Sequence, residues 1–201
     1  PRQAATASYQ PVTLLRLLRS PLLLQVSAIA ITLQFVTFGV NFGFLPVYAE
    51  NAGASESEVG YINSAGLVAA IAGTAAAALL ASRVGNSWTM LLASAATFAS
   101  LAAMPFTQDL VALGALQALN GFGRGLLNTV LIILALQSAP PATRATAMGA
   151  YQAIYAAGML AGPAVSGVVA DSAVIEAVFW MAAGMTAVGA GLVAVRRLPR
   201  G

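Results

Sequence analysis

Six stretches of almost unbroken apolar residues, separated by short polar breaks, make up most of this 201-residue chain. They run over 21–48, 57–81, 88–106, 110–137, 145–170 and 174–195. A helix needs roughly 20 apolar residues to cross a hydrocarbon core of about 30 Å. The stretches are rich in Ala, Leu and Gly, whereas barrel strands alternate polar and apolar residues over about ten positions. The pattern predicts an all-α membrane protein with six transmembrane helices. The first stretch is too long for a signal-peptide core, and no cleavage site follows it.

The breaks carry turn chemistry. Asn51-Ala52-Gly53 is expected to stop the first helix. Ser55 and Ser57 can cap the second, with Glu58 in its first turn. Pro140-Pro141 separates the fourth from the fifth, because proline lacks the N–H that a continuing helix needs. Residues 1–20 are polar and then amphipathic. Their Thr13–Arg19 run, TLLRLLR, is expected as a cytoplasmic interfacial leader or an extension of the first helix. Residues 197–201 are expected as a short cytoplasmic tail. The chain begins at Pro1 and not at Met, so it is expected to be part of something longer.

The few charges reinforce the count. Arg16 and Arg19 precede the first span, and Glu50, Glu56 and Glu58 follow it. Arg83, Asp109 and Arg144 occupy the next three breaks, Asp171 and Glu176 the fifth, and Arg196, Arg197 and Arg200 follow the last span. The sign alternates at every connection. The positive-inside rule puts the Arg side in the cytoplasm. Both termini are therefore expected there, in a multi-pass protein of the plasma (inner) membrane.

Composition narrows the chemistry. Only 7% of residues are charged, against about one-quarter in a soluble domain, too few to wet a water-soluble globule. The nine basic residues are all Arg, scattered in ones and twos, all but one of them outside the apolar stretches. No basic patch interleaved with aromatics is present, so no nucleic-acid partner is expected. The absence of Cys and His removes disulfides, thiolate chemistry, zinc and haem ligation, and Ser-His or Cys-His dyads. No cofactor or metal site is expected. Neither a Lys nor a carboxylate pair lies within a span, so an intramembrane enzyme is not expected.

One charge, Arg124, lies deep in a span. Placing Arg at a helix centre costs about 2.5–3.5 kcal/mol on insertion scales, so it should face a cavity or a partner. Gln117, Asn120, Arg124 and Asn128 follow spacings of three and four and share one helix face. The stripe reads as the lining of a polar pathway. The structural alternative is that Arg124 bonds neighbouring carbonyls and the amides tie helices together. The first span has a weaker stripe of Gln34, Phe38 and Asn41. The fifth offers Tyr151, Gln152 and Tyr155. Aromatic and amide groups together suit an amphipathic organic solute, although each alone fits ordinary packing equally well. Trp88 and Trp180 lie near opposite ends of their spans, as interfacial anchors do.

The fifth span carries Gly149, Gly158, Gly162, Pro163 and Gly167. Gly158 and Gly162 form a small-xxx-small pair that lets backbones approach closely, and Pro163 is expected to kink the helix. A static packing seam and a hinge both fit this pattern.

These residues resemble motifs of the major facilitator superfamily. The Gly149, Gly158, Gly162-Pro163 spacing is similar to the antiporter motif of that family's fifth helix, with Ser166-Gly167 in place of its closing Gly-Gly. Related patterns occur in the eleventh helix. The run Gln117-Ala-Leu-Asn120-Gly121-Phe-Gly123 resembles the fourth-helix motif, with Gln117 where an Arg would stand, which favours the tenth-helix counterpart. Arg83 and Gly85, in Ser82-Arg83-Val84-Gly85-Asn86, match two positions of the family's Asp-Arg-x-Gly-Arg loop. Phe44-Leu45-Pro46-Val47-Tyr48 looks like the end of the seventh helix.

The resemblance implies one six-helix half, the C-terminal one, built as two inverted three-helix repeats. It implies alternating-access transport of a small organic solute, most like proton-coupled efflux of drugs or sugars. The expected partners are that solute, the lipid bilayer, and the other six-helix half or a second copy. Facilitated or proton-coupled uptake and a non-transporting membrane scaffold or sensor are the alternatives.

Overall fold

The structure, a computed structural model, describes Leu17 and residues 19–195. The expected tail and most of the expected leader, with Arg16, Arg196, Arg197 and Arg200, lie outside the described residues. Six helices follow: α1 (Pro21–Asn51), α2 (Glu56–Val84), α3 (Asn86–Ala103, extended by a 3-10 turn to Phe106), α4 (Leu110–Gln137), α5 (Arg144–Ser172) and α6 (Glu176–Val195). Each is long and apolar enough to cross a membrane. Every end falls within three residues of its sequence expectation. No strand occurs among the described residues.

The helix ends are chemically marked. Pro21 opens α1 behind the Ser20 cap. Asn51 closes it, and Gly53 turns the chain at φ 94°, a conformation that only glycine adopts without strain. Ser55 caps α2 in a reciprocal box. The Ser55 N–H donates to the Glu58 carboxylate at 2.8 Å, and the Glu58 N–H donates to Ser55 Oγ. Ser57, the other candidate cap, lies inside the helix. The Ala112 N–H donates to the Asp109 carboxylate at 2.7 Å and starts α4. α5 continues through Pro163 to Ser172.

One irregularity sits in α1. Residues Thr37–Phe44 wind as a π-helix between two α-helical segments. A π turn takes more residues than the 3.6 of an α turn. The faces of α1 before and after this segment are therefore out of step with a simple helical reading.

The six helices form two interlocked inverted repeats, α1–α3 and α4–α6. Contacts between the repeats outweigh those within them. α2 lies mainly on α4, and α5 on α1; α3 contacts α4 and α6, and α6 contacts α1 and α3. Exchanging the repeats reproduces this pairing. α1 and α4 are the most buried helices, and α2 and α5 the least.

Lipid tails are as apolar as leucine, so burial alone does not hold such helices together; close backbone packing does. A Cβ on Gly121 would strike the Gly66 carbonyl of α2, one on Gly125 the Ala70 carbonyl, and one on Gly73 the Phe122 carbonyl of α4. At the second seam, between α1 and α5, a Cβ on Gly158 would strike the Ile31 carbonyl, and one on Gly162 the Phe35 carbonyl. Gly39 of α1 meets Gly162 and Ser166 in return. Two apolar cores lie above and below these seams, one around Leu23, Leu131 and Tyr151, the other around Leu45, Met104 and Phe179.

Candidate functional site

Arg124 stands fourteen residues after Leu110 and thirteen before Gln137. At 1.5 Å per residue this is roughly 20 Å from either end of α4, near the middle of the span. The side chain is 9% exposed and borders an open cleft of about 550 Å³ between α1, α2 and α4. Gln34, Thr37 and Phe42 of α1 line the cleft, with Ile71 and Thr74 of α2 and Asn128 of α4. The seam between α2 and α4 forms its floor, where Ala70 and Gly125 meet.

The guanidinium carbon lies 5.6 Å from the centre of the Phe42 ring. A cation–π contact at this distance contributes about 0.5–2 kcal/mol, which offsets only part of the cost of an intramembrane Arg. Nη1 is buried and has no hydrogen-bond partner among the described residues. All six acidic residues lie at or beyond helix ends, away from mid-span. The site therefore holds a positive charge, an unused donor, neutral amides and hydroxyls, and an apolar wall.

The other residues marked from the sequence fall in several places. Gln34, Arg124 and Asn128 share the cleft. Gln117 does not line it; it packs on Gly66 of α2, and its carbonyl oxygen is unpartnered. Asn120 is wholly buried, with neither side-chain polar atom bonded. Phe38 stacks edge-on with Phe42, 5.7 Å between ring centres. Asn41 is buried away from the cleft and unpartnered. Tyr151 is 1% exposed in an apolar core, edge-on to Tyr155. Gln152 is exposed. None of these three residues of α5 borders the cleft.

Gly158 and Gly162 lie against α1, whereas Gly149 and Gly167 have open space beside them. Pro163 is exposed on a continuous helix. Arg83 is exposed in the last turn of α2, and Gly85 joins α2 to α3 at φ 85°. Sequence reasoning did not single out Phe42, Thr37 or Thr74 at the cleft, nor Gly66, Gly73 and Gly39 in the seams. The Gly121-xxx-Gly125 spacing on α4, with Gly66, Ala70 and Gly73 on α2, is a readable signal for the second seam.

A smaller feature lies where α1, α3, α4 and α6 meet. A cavity of about 10 Å³ is lined by four hydroxyl residues, Thr32, Ser94, Thr97 and Thr186, beside Gly189. Thr32 and Thr186 donate to the Ile29 and Ala182 carbonyls at 2.8 and 2.9 Å. Thr97 Oγ1 is buried with no partner.

An inverted-repeat bundle with a charged cleft at mid-membrane defines the class: a multi-pass membrane protein built like half of an alternating-access carrier. The profile of the Major Facilitator Superfamily matches residues 27–201, and the chain belongs to that family. Among solved structures it is similar to the proton:xylose symporter XylE bound to 6-bromo-6-deoxy-D-glucose, with a TM-score of 0.72 at 16% identity. That match covers 89% of this chain and 44% of the symporter. The inward-open xylose transporter XylE from E. coli is also similar, with a TM-score of 0.69 at 16% identity, covering 89% of this chain and 48% of that one. The chain thus spans less than half the length of these proteins. No curated protein matches it.

Proposed function

We propose that the chain is the C-terminal half of a secondary active transporter that moves a small organic solute through the α1–α2–α4 cleft by alternating access. The observation that carries this reading is Arg124, a mid-membrane guanidinium with an unused donor, bordering an open cleft with Gln34 and Asn128. A purely structural bundle has no reason to carry that cost. The other six-helix half would close the cleft, seated on α2 and α5, the helices with the least burial of their own. Both termini and Arg83 and Arg144 would be cytoplasmic, in the plasma membrane. Proton-coupled efflux is the preferred direction, on the glycine pattern of α5. No His occurs and every Asp and Glu lies at or beyond a helix end, none near mid-span, so the titrating group would belong to the other half. Uptake is the second reading, favoured by the likeness to a proton:xylose symporter.

The test is transport by the full-length protein in proteoliposomes under an imposed pH gradient, against a panel of drugs and sugars. Movement up a concentration gradient only when the pH gradient is present supports the reading, and its direction separates efflux from uptake. A folded protein that moves no solute either way leaves the scaffold alternative.

A further inference from the structure

The chemistry of the cleft narrows the solute further than its size does. We infer that the transported solute is an amphipathic organic anion whose carboxylate is bound by Arg124. The inference rests on the reading of the cleft as a solute site.

Three observations carry it. The first is charge balance. Arg124 is more than nine-tenths buried and near the middle of α4, while the nearest acid along that helix, Asp109, caps its outer end. Every acid of this chain stands in the first or last turn of a helix or between helices, far from mid-span, so the guanidinium has no counter-ion of its own. The second is the unused donor. Nη1 is buried with no acceptor in reach, beside a cleft large enough to admit one. A buried charge without a partner is costly, and a carboxylate supplies both the opposite charge and planar acceptors that match the guanidinium fork. The third is the rest of the wall. Phe42 is 50% exposed and Ile71 is 70% exposed, giving the cleft a broad apolar surface. Its neutral polar groups, Gln34 and Asn128, carry no charge that would compete for the anion. Thr37 already donates to the Leu33 carbonyl at 2.8 Å, so its hydroxyl proton is used.

The alternatives fit less well. A cationic solute would meet Arg124 as a like charge in a low-dielectric site. A neutral sugar would leave the guanidinium unneutralised. The cleft volume of about 550 Å³ lies within the roughly 300–1,000 Å³ of small-molecule sites, enough for a carboxylate with an apolar body.

The test uses the full-length transporter in nanodiscs and three probes of nearly one shape: benzoate, benzamide and benzylamine, at millimolar concentration. The readouts are the shift in unfolding midpoint and the affinity fitted from it. Benzoate is expected to stabilise most, benzamide weakly and benzylamine least. Arg124→Gln is expected to weaken benzoate roughly ten- to a hundredfold and barely to change benzamide. Arg124→Lys should fall between, because an ammonium keeps the charge and loses the fork. If Arg124→Gln does not fold, Arg124→Lys carries the comparison. The inference is overturned if benzamide or benzylamine binds best, if benzoate binds Arg124→Gln as well as wild type, or if benzoate has no effect. It is overturned too if a misfolded Arg124→Gln is rescued by neutralising an acid on the other half, since Arg124 is then a structural ion-pair partner. Preference for benzylamine or benzamide leaves the cleft a solute site and removes only the anion. Absence of all transport removes the underlying reading as well.

Discussion

α1 and α4 hold corresponding places in the two repeats. α1 carries Gln34 thirteen residues from its start, and α4 carries Arg124 fourteen residues from its start; both side chains reach the same cleft. Around them the packing is nearly the same. Gly121 and Gly125 of α4 receive α2 as Gly158 and Gly162 of α5 receive α1, backbone on backbone. A notch at Gly123 holds the Thr97 hydroxyl, and one at Gly189 holds the Thr32 hydroxyl. Yet one repeat presents a charge and the other an uncharged amide, and only α1 contains a π segment. The comparison separates two jobs. Small residues fix where helices cross, and they do so alike at both seams. The groups between the crossings are free to differ, and the chemistry of the cleft lies in that difference.

The largest effect tests the inversion itself. The Cys-free sequence lets single cysteines report sidedness. Cysteines at positions 83 and 144 are expected to react with an impermeant thiol reagent only from the cytoplasm, and those at 56, 109 and 176 only from outside. The outcome at each position is all or none. Labelling of positions 83 and 109 from one face would place α3 wholly on one side and end the inverted relation.

The seams come next. Gly158→Leu at the α1–α5 seam and Gly121→Leu at the α2–α4 seam each drive a side chain into a carbonyl of the facing helix. That oxygen cannot move unless the helices separate, so each variant is expected to cost at the top of the overpacking range, about 3 kcal/mol, and to abolish transport. Gly184→Leu and Ala190→Leu on α6 should be tolerated, since Gly184 is exposed with nothing within 4 Å and Ala190 is part-exposed. Folded yield by size exclusion and transport by the full-length protein measure this. Full activity in Gly158→Leu but not in Gly121→Leu would mean that the seams are not equivalent.

The legibility of the two repeats in the sequence divides along the same line. Span count and helix ends follow from long apolar runs and from caps such as Ser55 and Asp109, which act locally. The α5 seam was readable because Gly158 and Gly162 are four apart. The cleft was readable on α4, an unbroken α-helix, where the three–four spacing puts Arg124 and Asn128 on one face. It was only half readable on α1. The Gln34, Phe38, Asn41 stripe assumes 3.6 residues per turn throughout. From Thr37 the π segment turns less per residue, which brings Phe42 round to the Gln34 face and carries Asn41 off it. Nothing in that short stretch signals the change of pitch. Tyr151 looked like a lining group because its hydroxyl is polar, but its ring fills an apolar core.

A smaller effect sharpens the difference at the cleft. Gln34→Ala removes a neutral group worth about 0.5–1.5 kcal/mol, so transport efficiency should fall roughly two- to tenfold. Arg124→Gln should lower it further, since a hydrogen bond to a charged group is worth about 1.5–3 kcal/mol. Solute kcat/KM on the full-length protein measures both. Equal losses would mean that the charge adds nothing to the difference between repeats.

The smallest expected effect lies at the two glycine notches. Thr32 and Thr97 each fill a glycine notch, but Thr32 donates to the Ile29 carbonyl at 2.8 Å while Thr97 Oγ1 is buried without a partner among the described residues. Valine has nearly the shape of threonine and lacks the hydroxyl. Thr32→Val should therefore cost about 0.5–1 kcal/mol, the net value of one neutral hydrogen bond. Thr97→Val should be neutral or slightly stabilising, because it removes a polar atom whose burial no bond offsets. The paired shifts in unfolding midpoint of the full-length protein decide it. A loss at Thr97 as large as that at Thr32 contradicts the expectation and has a specific meaning. The adjacent cavity of about 10 Å³ is lined by four hydroxyl residues, close to the smallest space that holds one water. An equal loss would show that Thr97 bonds a water there, so that the two notches would match in hydrogen bonding as they do in packing.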